Sequence, residues 1–170
     1  MLDYNRLKHG DEHELHTQPV LPIIKESLAS HKLLLKQKQI QVTLPKQDCP
    51  GRVNKALLQR ALSNLISNAS VYGCEKGLLK ITLASQDSQL KIEIGNTGPE
   101  IPDSDLAQLF DPFYQGVNKR QGSVKGSGIG LSIARESIKV MGGHLELHSN
   151  KDGFVSFMIS IPNQGKISHE

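Results

Sequence analysis

A chain of 170 residues is long enough for one domain with a substantial core. With 22% charged and 37% hydrophobic residues it has the composition of a soluble globular protein, and a net charge of +3 spread over scattered basic residues does not point to nucleic acid. No apolar run approaches membrane-spanning length, no signal-peptide pattern is present, and Cys49 and Cys74, without metal-ligand spacing, read as free thiols in a reducing compartment.

Residues 1–18 are polar and irregular, although Met1 to Lys8 has the look of a helix end. From Pro19 a helical spacing of Leu21, Ile24, Leu28, Leu33 and Leu34 predicts a helix to about Lys38. Gln39 to Leu44 alternates, with Ile40, Val42 and Leu44 on one side, and predicts a strand. Residues 45–51 form a loop, and Val53 belongs to a short second strand. Asn54 caps a long helix whose apolar face is Leu58, Leu62, Leu65 and Ala69, flanked by Leu57, Ala61 and Ile66, with Gly73 as its stop. Leu78–Ala84 and Leu90–Ile94 form a hairpin around a polar turn. Asn96 to Asp103 is turn-rich, Leu106–Phe110 a short helix, and Tyr114–Lys125 a polar loop with little to bury. A glycine-rich turn then leads into a helix that ends at Gly142-Gly143. His144–His148 and Phe154–Ile161 form the last hairpin, and the tail from Asn163 is polar and frayed. The expected architecture is a two-layer α+β sandwich: a mixed, mostly antiparallel sheet covered on one face by helices.

Several residues in this frame carry chemistry. Gly126, Gly128 and Gly130 alternate just before a helix, so backbone N–H groups and the positive helix end can meet an anion. The same pattern also serves as a tight connection. No Lys-Ser/Thr follows the last glycine, which excludes a P-loop, and the Gly-x-Gly-x-Gly spacing is not the dinucleotide fingerprint. Asn64 and Asn68 lie four apart on one helix face, where neutral carboxamide oxygens suit Mg²⁺ or simply face solvent. Asn96, at a strand end before Gly98, can accept a hydrogen bond from an adenine amino group, or belong to an ordinary turn. Phe110 and Phe113 bracket Asp111-Pro112 and can anchor the loop that follows, and Lys119, Arg120 and Lys125 can reach a terminal phosphate or remain solvated.

Taken together, these blocks resemble the motif series of sensor histidine kinases over roughly residues 20–162. Asn64-Leu65-Ile66-Ser67-Asn68-Ala69 resembles the N box. Asn96-Thr97-Gly98-Pro99-Glu100-Ile101-Pro102 resembles the first glycine box, and Leu109-Phe110-Asp111-Pro112-Phe113-Tyr114 the F box. Gly126-Ser127-Gly128-Ile129-Gly130-Leu131 resembles the second glycine box. The F box favours kinases over the gyrase, MutL and heat-shock-90 relatives of the same fold, and the finer pattern looks most like the QseE/GlrK type. The resemblance implies a Bergerat ATP-binding fold with a flexible lid between the F box and the second glycine box. It places Mg²⁺ on Asn68 with Asn64 assisting, adenine against Tyr72, Asn96 and Gly98, and the lid end and phosphates at Gly126, Gly128 and Gly130. Ile101, Phe110, Phe113, Ser127, Ile129 and Leu131 belong to the same ATP-binding set, with Lys119, Arg120 and Lys125 from the lid.

Three positions depart from the pattern: Asn96 replaces the usual aspartate, Glu100 stands where a second glycine is frequent, and Val71 where a basic residue commonly contacts phosphate. They motivate an alternative, a nucleotide-binding regulatory module without phosphotransfer. A further trap is His13-Glu14-Leu15-His16-Thr17-Gln18-Pro19, which resembles the phosphoacceptor box. Too few residues separate it from the first helix for a dimerisation hairpin, so His13 is not expected to be the acceptor. The expected organisation is a hairpin remnant and linker at 1–18, an ATP-binding catalytic domain at 19–162 and a disordered tail at 163–170. The domain is expected to donate the γ-phosphoryl group of Mg-ATP to a histidine on a dimerisation domain outside this chain. Its partners would be that domain and a response regulator, in a membrane-anchored homodimer with this part in the cytoplasm.

Overall fold

A computed structural model of the chain describes residues 14–112 and 130–163. The strands are β1 (His16–Pro19), β2 (Gln41–Thr43), β3 (Pro50–Val53), β4 (Leu78–Gln86), β5 (Gln89–Thr97), β6 (His144–Lys151) and β7 (Phe154–Pro162). The helices are α1 (Leu21–Ala29), α2 (Lys32–Gln37), α3 (Lys55–Tyr72), α4 (Asp103–Leu106) and α5 (Gly130–Val140).

Alternation along the strands builds the main sheet, a five-stranded array in the order β2-β4-β5-β7-β6. Only the β2–β4 pair is parallel; β4–β5, β5–β7 and β6–β7 are antiparallel. One face is a continuous apolar surface: Leu79, Ile81, Leu90, Ile92, Ile94, Val155, Phe157, Ile159, Ile161 and Leu145 are all buried. The alternate positions Lys80, Thr82, Lys91, Glu93, His144 and Glu146 point the other way and are exposed or half-buried. Helices α3 and α5 cover the apolar face, and α1 packs on α3. The fold is therefore the two-layer sandwich expected, with a mixed and mostly antiparallel sheet.

Helix α3 is the organising element. Asn54 caps it, its Oδ1 accepting from Leu57 N at 2.9 Å. The expected stripe is buried in full: Leu57, Leu58, Ala61, Leu62, Leu65, Ile66 and Ala69. Helix α5 ends where Gly142 takes a left-handed φ of 84°. The β4–β5 turn is Asp87-Ser88, with φ of 55° and 61°, and the β6–β7 turn is Asp152-Gly153, with φ of 56° and 75°. Both suit the twist of antiparallel strands, so each hairpin is longer than its apolar alternation implies.

Several expectations are corrected. Residues 16–19, placed in a linker and at a helix start, form β1, which pairs antiparallel with β3. That strand lies directly beside the His-Glu-Leu box; His13 itself is outside the described residues. The long first helix is broken at Ser30-His31 into α1 and α2, and Leu33, assigned to its apolar face, is 69% exposed. The short helix after the first glycine box is Asp103–Leu106 rather than Leu106–Phe110, because Pro102 sets its start. Asn163 is not frayed: its N–H donates to Ser88 O at 2.9 Å and its Oδ1 accepts from Arg52 N at 3.0 Å.

Asp48, in the loop before β3, supplies the N-terminal cap that α1 lacks. Its carboxylate accepts from Val20 N at 3.1 Å, Leu21 N at 2.8 Å and Cys49 N at 2.7 Å. Desolvation pushes the Asp48 carboxyl up, but these donors and the charge of Lys25 outweigh it and hold the group below its ordinary 3.8. Burial, helped by the Asp48 charge, pushes the neighbouring Cys49 thiol up.

Candidate functional site

Helix α3 carries both ends of the site. Asn64 and Asn68 occupy one face in its middle, and Tyr72 lies in its last turn. At 1.5 Å per residue, roughly 12 Å of helix axis separates Asn64 from Tyr72.

At the first end, Asn64 donates through Nδ2 to Arg60 O at 2.9 Å, which leaves its Oδ1 as an acceptor. That oxygen faces the start of α5: a Cβ built on Gly130 would lie 3.4 Å from it. The N box and the last glycine of the second glycine box are thus neighbours, and Leu131 packs against the core beside them. Among the described residues the Asn68 carboxamide has no hydrogen-bond partner. A neutral carboxamide beside the N-terminus of α5, with a second one helical turn further along α3, suits a hard cation and the phosphate oxygens around it. No cluster of three His, Cys, Asp or Glu side chains able to hold a metal occurs among the described residues.

At the other end, the C-terminus of α3 meets the end of β5 at van der Waals distance. A Cβ on Gly73 would sit 2.5 Å from Ala69 O and 3.3 Å from Asn96 Nδ2. A Cβ on Gly98 would sit 3.0 Å from Asn96 Nδ2 and 3.1 Å from Tyr72 O. A side chain at Gly73 would collide with the helix's own Ala69 O, and one at Gly98 would crowd Tyr72 O and the Asn96 amide, so glycine keeps the two segments close without displacement. Asn96 donates through Nδ2 to Thr97 O at 3.0 Å, a bond that the aspartate of the family pattern would be unable to make. Among the described residues, no bond occupies its Oδ1. The Thr97 hydroxyl accepts from Leu78 N at 2.9 Å and fixes the strand end.

Two brackets hold this second end. Lys38 donates from Nζ to the carbonyls of Ser70 (2.9 Å), Val71 (3.0 Å) and Gly73 (2.8 Å). One ammonium thereby satisfies three carbonyls at the negative end of the helix. On the far side, the segment after β5 is tied to the β6–β7 turn by Gly98 N to Gly153 O at 2.9 Å, Asp152 N to Glu100 Oε2 at 3.1 Å, and Ile101 with Asn150. Glu100 therefore has a structural partner in place of the flexibility a glycine would give.

Phe110 of the F box makes a T-shaped contact with Phe157, ring centroids 6.2 Å apart, and the Arg135 guanidinium of α5 lies 5.0 Å from the Phe110 ring centroid. It anchors the end of its segment to both layers. Phe113, Lys119, Arg120, Lys125, Gly126, Ser127, Gly128 and Ile129 fall outside the described residues. Of the residues named from sequence, Asn64 comes together with Gly130, and Tyr72, Asn96 and Gly98 come together at the other end. Lys38, Asn150 and Arg135 were missed. No local pattern marks them, since Lys38 and Asn150 act on backbone 32 to 49 residues away.

Comparison with known proteins matches this geometry. Residues 53–165 match the model of the histidine kinase-, DNA gyrase B- and HSP90-like ATPases. The sensor histidine kinases GlrK of Escherichia coli (strain K12) and QseE of Escherichia coli O157:H7 are each 35% identical over 163 residues, 96% of this chain. The chain spans 34% of the length of each. The catalytic domain of the histidine kinase ThkA superposes with a TM-score of 0.76 at 26% identity, over 88% of this chain and 96% of that one. The fold is that of histidine kinase catalytic domains. The matching region contains α3, β5 and α5, the elements that carry both ends of the site, and the chain belongs to the histidine kinase-, DNA gyrase B- and HSP90-like ATPase family.

Proposed function

We propose that this chain is the ATP-binding catalytic domain of a sensor histidine kinase, donating the γ-phosphoryl group of Mg-ATP to a histidine on a dimerisation domain, for onward signalling to a response regulator. The observation that carries the reading is the polarity of α3. Its middle offers the acceptor carboxamide of Asn64 beside the start of α5, with Asn68 one turn along the same face, and its end lies against Asn96 and Gly98. A nucleotide laid along it places the adenine amino group at Asn96 Oδ1, the base beside Tyr72, and its phosphates at Asn64 and Asn68.

In this reading Asn68, assisted by Asn64, holds Mg²⁺. The ion supplies neutralisation of the charge that develops on the phosphates. The protein's own part is orientation: Asn64 is held by Arg60 O, Asn96 by Thr97 O, and Gly130 keeps the start of α5 close. In the same reading, the domain acts on the cytoplasmic side of a membrane-anchored homodimer. No helix among the described residues is long and apolar enough to cross a membrane.

Titration calorimetry of the chain with ATP and ADP, with and without Mg²⁺, tests the binding. Asn68→Ala is expected to weaken Mg-ATP about 100-fold and metal-free ADP less than about 3-fold, following the loss expected for a disturbed metal site. Absence of binding by the wild-type chain up to millimolar nucleotide would refute the reading. Transfer is tested by joining a dimerisation hairpin in cis and looking for acid-labile phosphohistidine. Binding without phosphohistidine would instead make the chain a regulatory module.

A further inference from the structure

Strand β5 ends at Thr97, yet the backbone beyond it remains tied down by a side chain rather than by a sheet ladder. Asn150 Oδ1 accepts from Ile101 N at 2.8 Å, and Asn150 Nδ2 donates to Ile101 O at 2.9 Å. One carboxamide thus satisfies both backbone groups of Ile101, as a neighbouring strand would. The register explains how it reaches. Leu79, Asn96, Val155 and Asn150 form one cross-strand row. Leu79 and Val155 are buried in that row, so Asn150 shares the helix-covered face with Asn96. A break in register between Leu147 and Ser149 precedes Asn150 on β6. The exposed side of the same turn adds the bond from Asp152 N to Glu100 Oε2, and Gly98 N donates to Gly153 O.

Gly98 to Ile101 is therefore anchored at three of its four residues to the end of β6 and the turn that follows it. The same segment begins against Asn96 Nδ2 and Tyr72 O. Resting on the ATP-binding reading above, we infer that Asn150 is a positioning residue for adenine recognition. It holds Gly98–Ile101 so that the Asn96 carboxamide presents its acceptor to a purine 6-amino group, with Glu100 as a secondary bracket. The ordering of the segment is completed before ligand arrives, which leaves less conformational entropy to lose on binding. It also fixes the acceptor geometry on which discrimination against a 6-oxo purine depends, because guanine offers a carbonyl where adenine offers a donor.

The test is base selectivity, read as the ratio of GDP to ADP dissociation constants for the wild-type chain, Asn150→Asp and Glu100→Ala. Asn150→Asp keeps the acceptor for Ile101 N but turns a second acceptor toward Ile101 O. The wild-type ratio is expected to be at least about 10, falling to about 2 or less in Asn150→Asp and by about 3-fold in Glu100→Ala. A role confined to stabilising the hairpin would weaken ADP and GDP by the same factor and leave the ratio unchanged, which would overturn the inference. Because Glu100 is exposed, its variant still decides the matter should Asn150→Asp unfold. A wild-type chain that binds ADP and GDP equally would overturn the inference while sparing nucleotide binding. A chain that binds neither would remove the ATP-binding reading itself.

Discussion

The two ends of α3 are built differently. Among the described residues, Asn64 in its middle meets Gly130 at the start of α5, and the Asn68 carboxamide has no hydrogen-bond partner. Its C-terminus is fastened from two directions, by Lys38 on one side and on the other by the end of β5, where Cys74 N donates to Thr97 O at 2.9 Å and the segment that follows is itself held by Glu100 and Asn150. The contrast follows from what each end is proposed to bind. A planar base has a fixed edge, and rigid acceptors read it best. Phosphates and a hydrated cation carry their own strong charges and coordinate whatever oxygens are within reach.

Three measurements sharpen or break this comparison. The largest effect is expected from Gly73→Ala, which puts a methyl 2.5 Å from Ala69 O at the fastened end. It should lower stability by about 2 kcal/mol, as overpacking of a close backbone contact does, and weaken ADP about 10-fold. A change in urea midpoint no larger than that of a surface substitution would show that this end yields easily, contrary to the contrast drawn here. Lys38→Met retains the stem but removes the three bonds to Ser70, Val71 and Gly73. It should cost about 1 kcal/mol by leaving helix-end carbonyls to water and the helix dipole uncompensated. Hydrogen exchange should rise at Gly73 and Cys74 while the amides around Asn64 stay protected; uniform loosening of α3 would contradict the separation of its ends.

The smallest effect belongs to Asp48, remote from both ends. Its carboxyl is held below 3.8, so its stabilisation is complete above about pH 3.8 and is lost as pH falls through the lower folded value. The urea midpoints of the wild type and Asp48→Asn should differ slightly at neutral pH and converge at strongly acid pH. ADP affinity at neutral pH should not change. A gap that widens on acidification would reverse the sign assigned to this cap.

The sandwich and its boxes were legible because their signals are local. The stripe from Leu58 to Ala69 has the helical period, Asn54 precedes it as a cap, and the hairpin strands alternate. Less legible were elements whose identity depends on distant partners. Residues His16–Pro19 are a strand only because β3 lies beside them, and Pro19 read locally as a helix start. Leu33 fits the helical stripe, but the break at His31 turns it to solvent. Asn96 departs from the aspartate of the motif, and only the structure shows its amide bonding to Thr97 O, which a carboxylate is unable to do.

The sequence by itself determined the composition of the two layers, the capped helix with its asparagine pair, and the order of the nucleotide boxes. Those features depend on side-chain periodicity and on residues within a few positions of one another. Only the tertiary structure decided which backbone groups at the end of α3 and beyond β5 need outside partners, and that Lys38 and Asn150 supply them. Hydrogen-bond satisfaction of chain ends and loops is a property of what the fold brings near, and a side chain acting across 32 to 49 residues leaves no trace in its own neighbourhood.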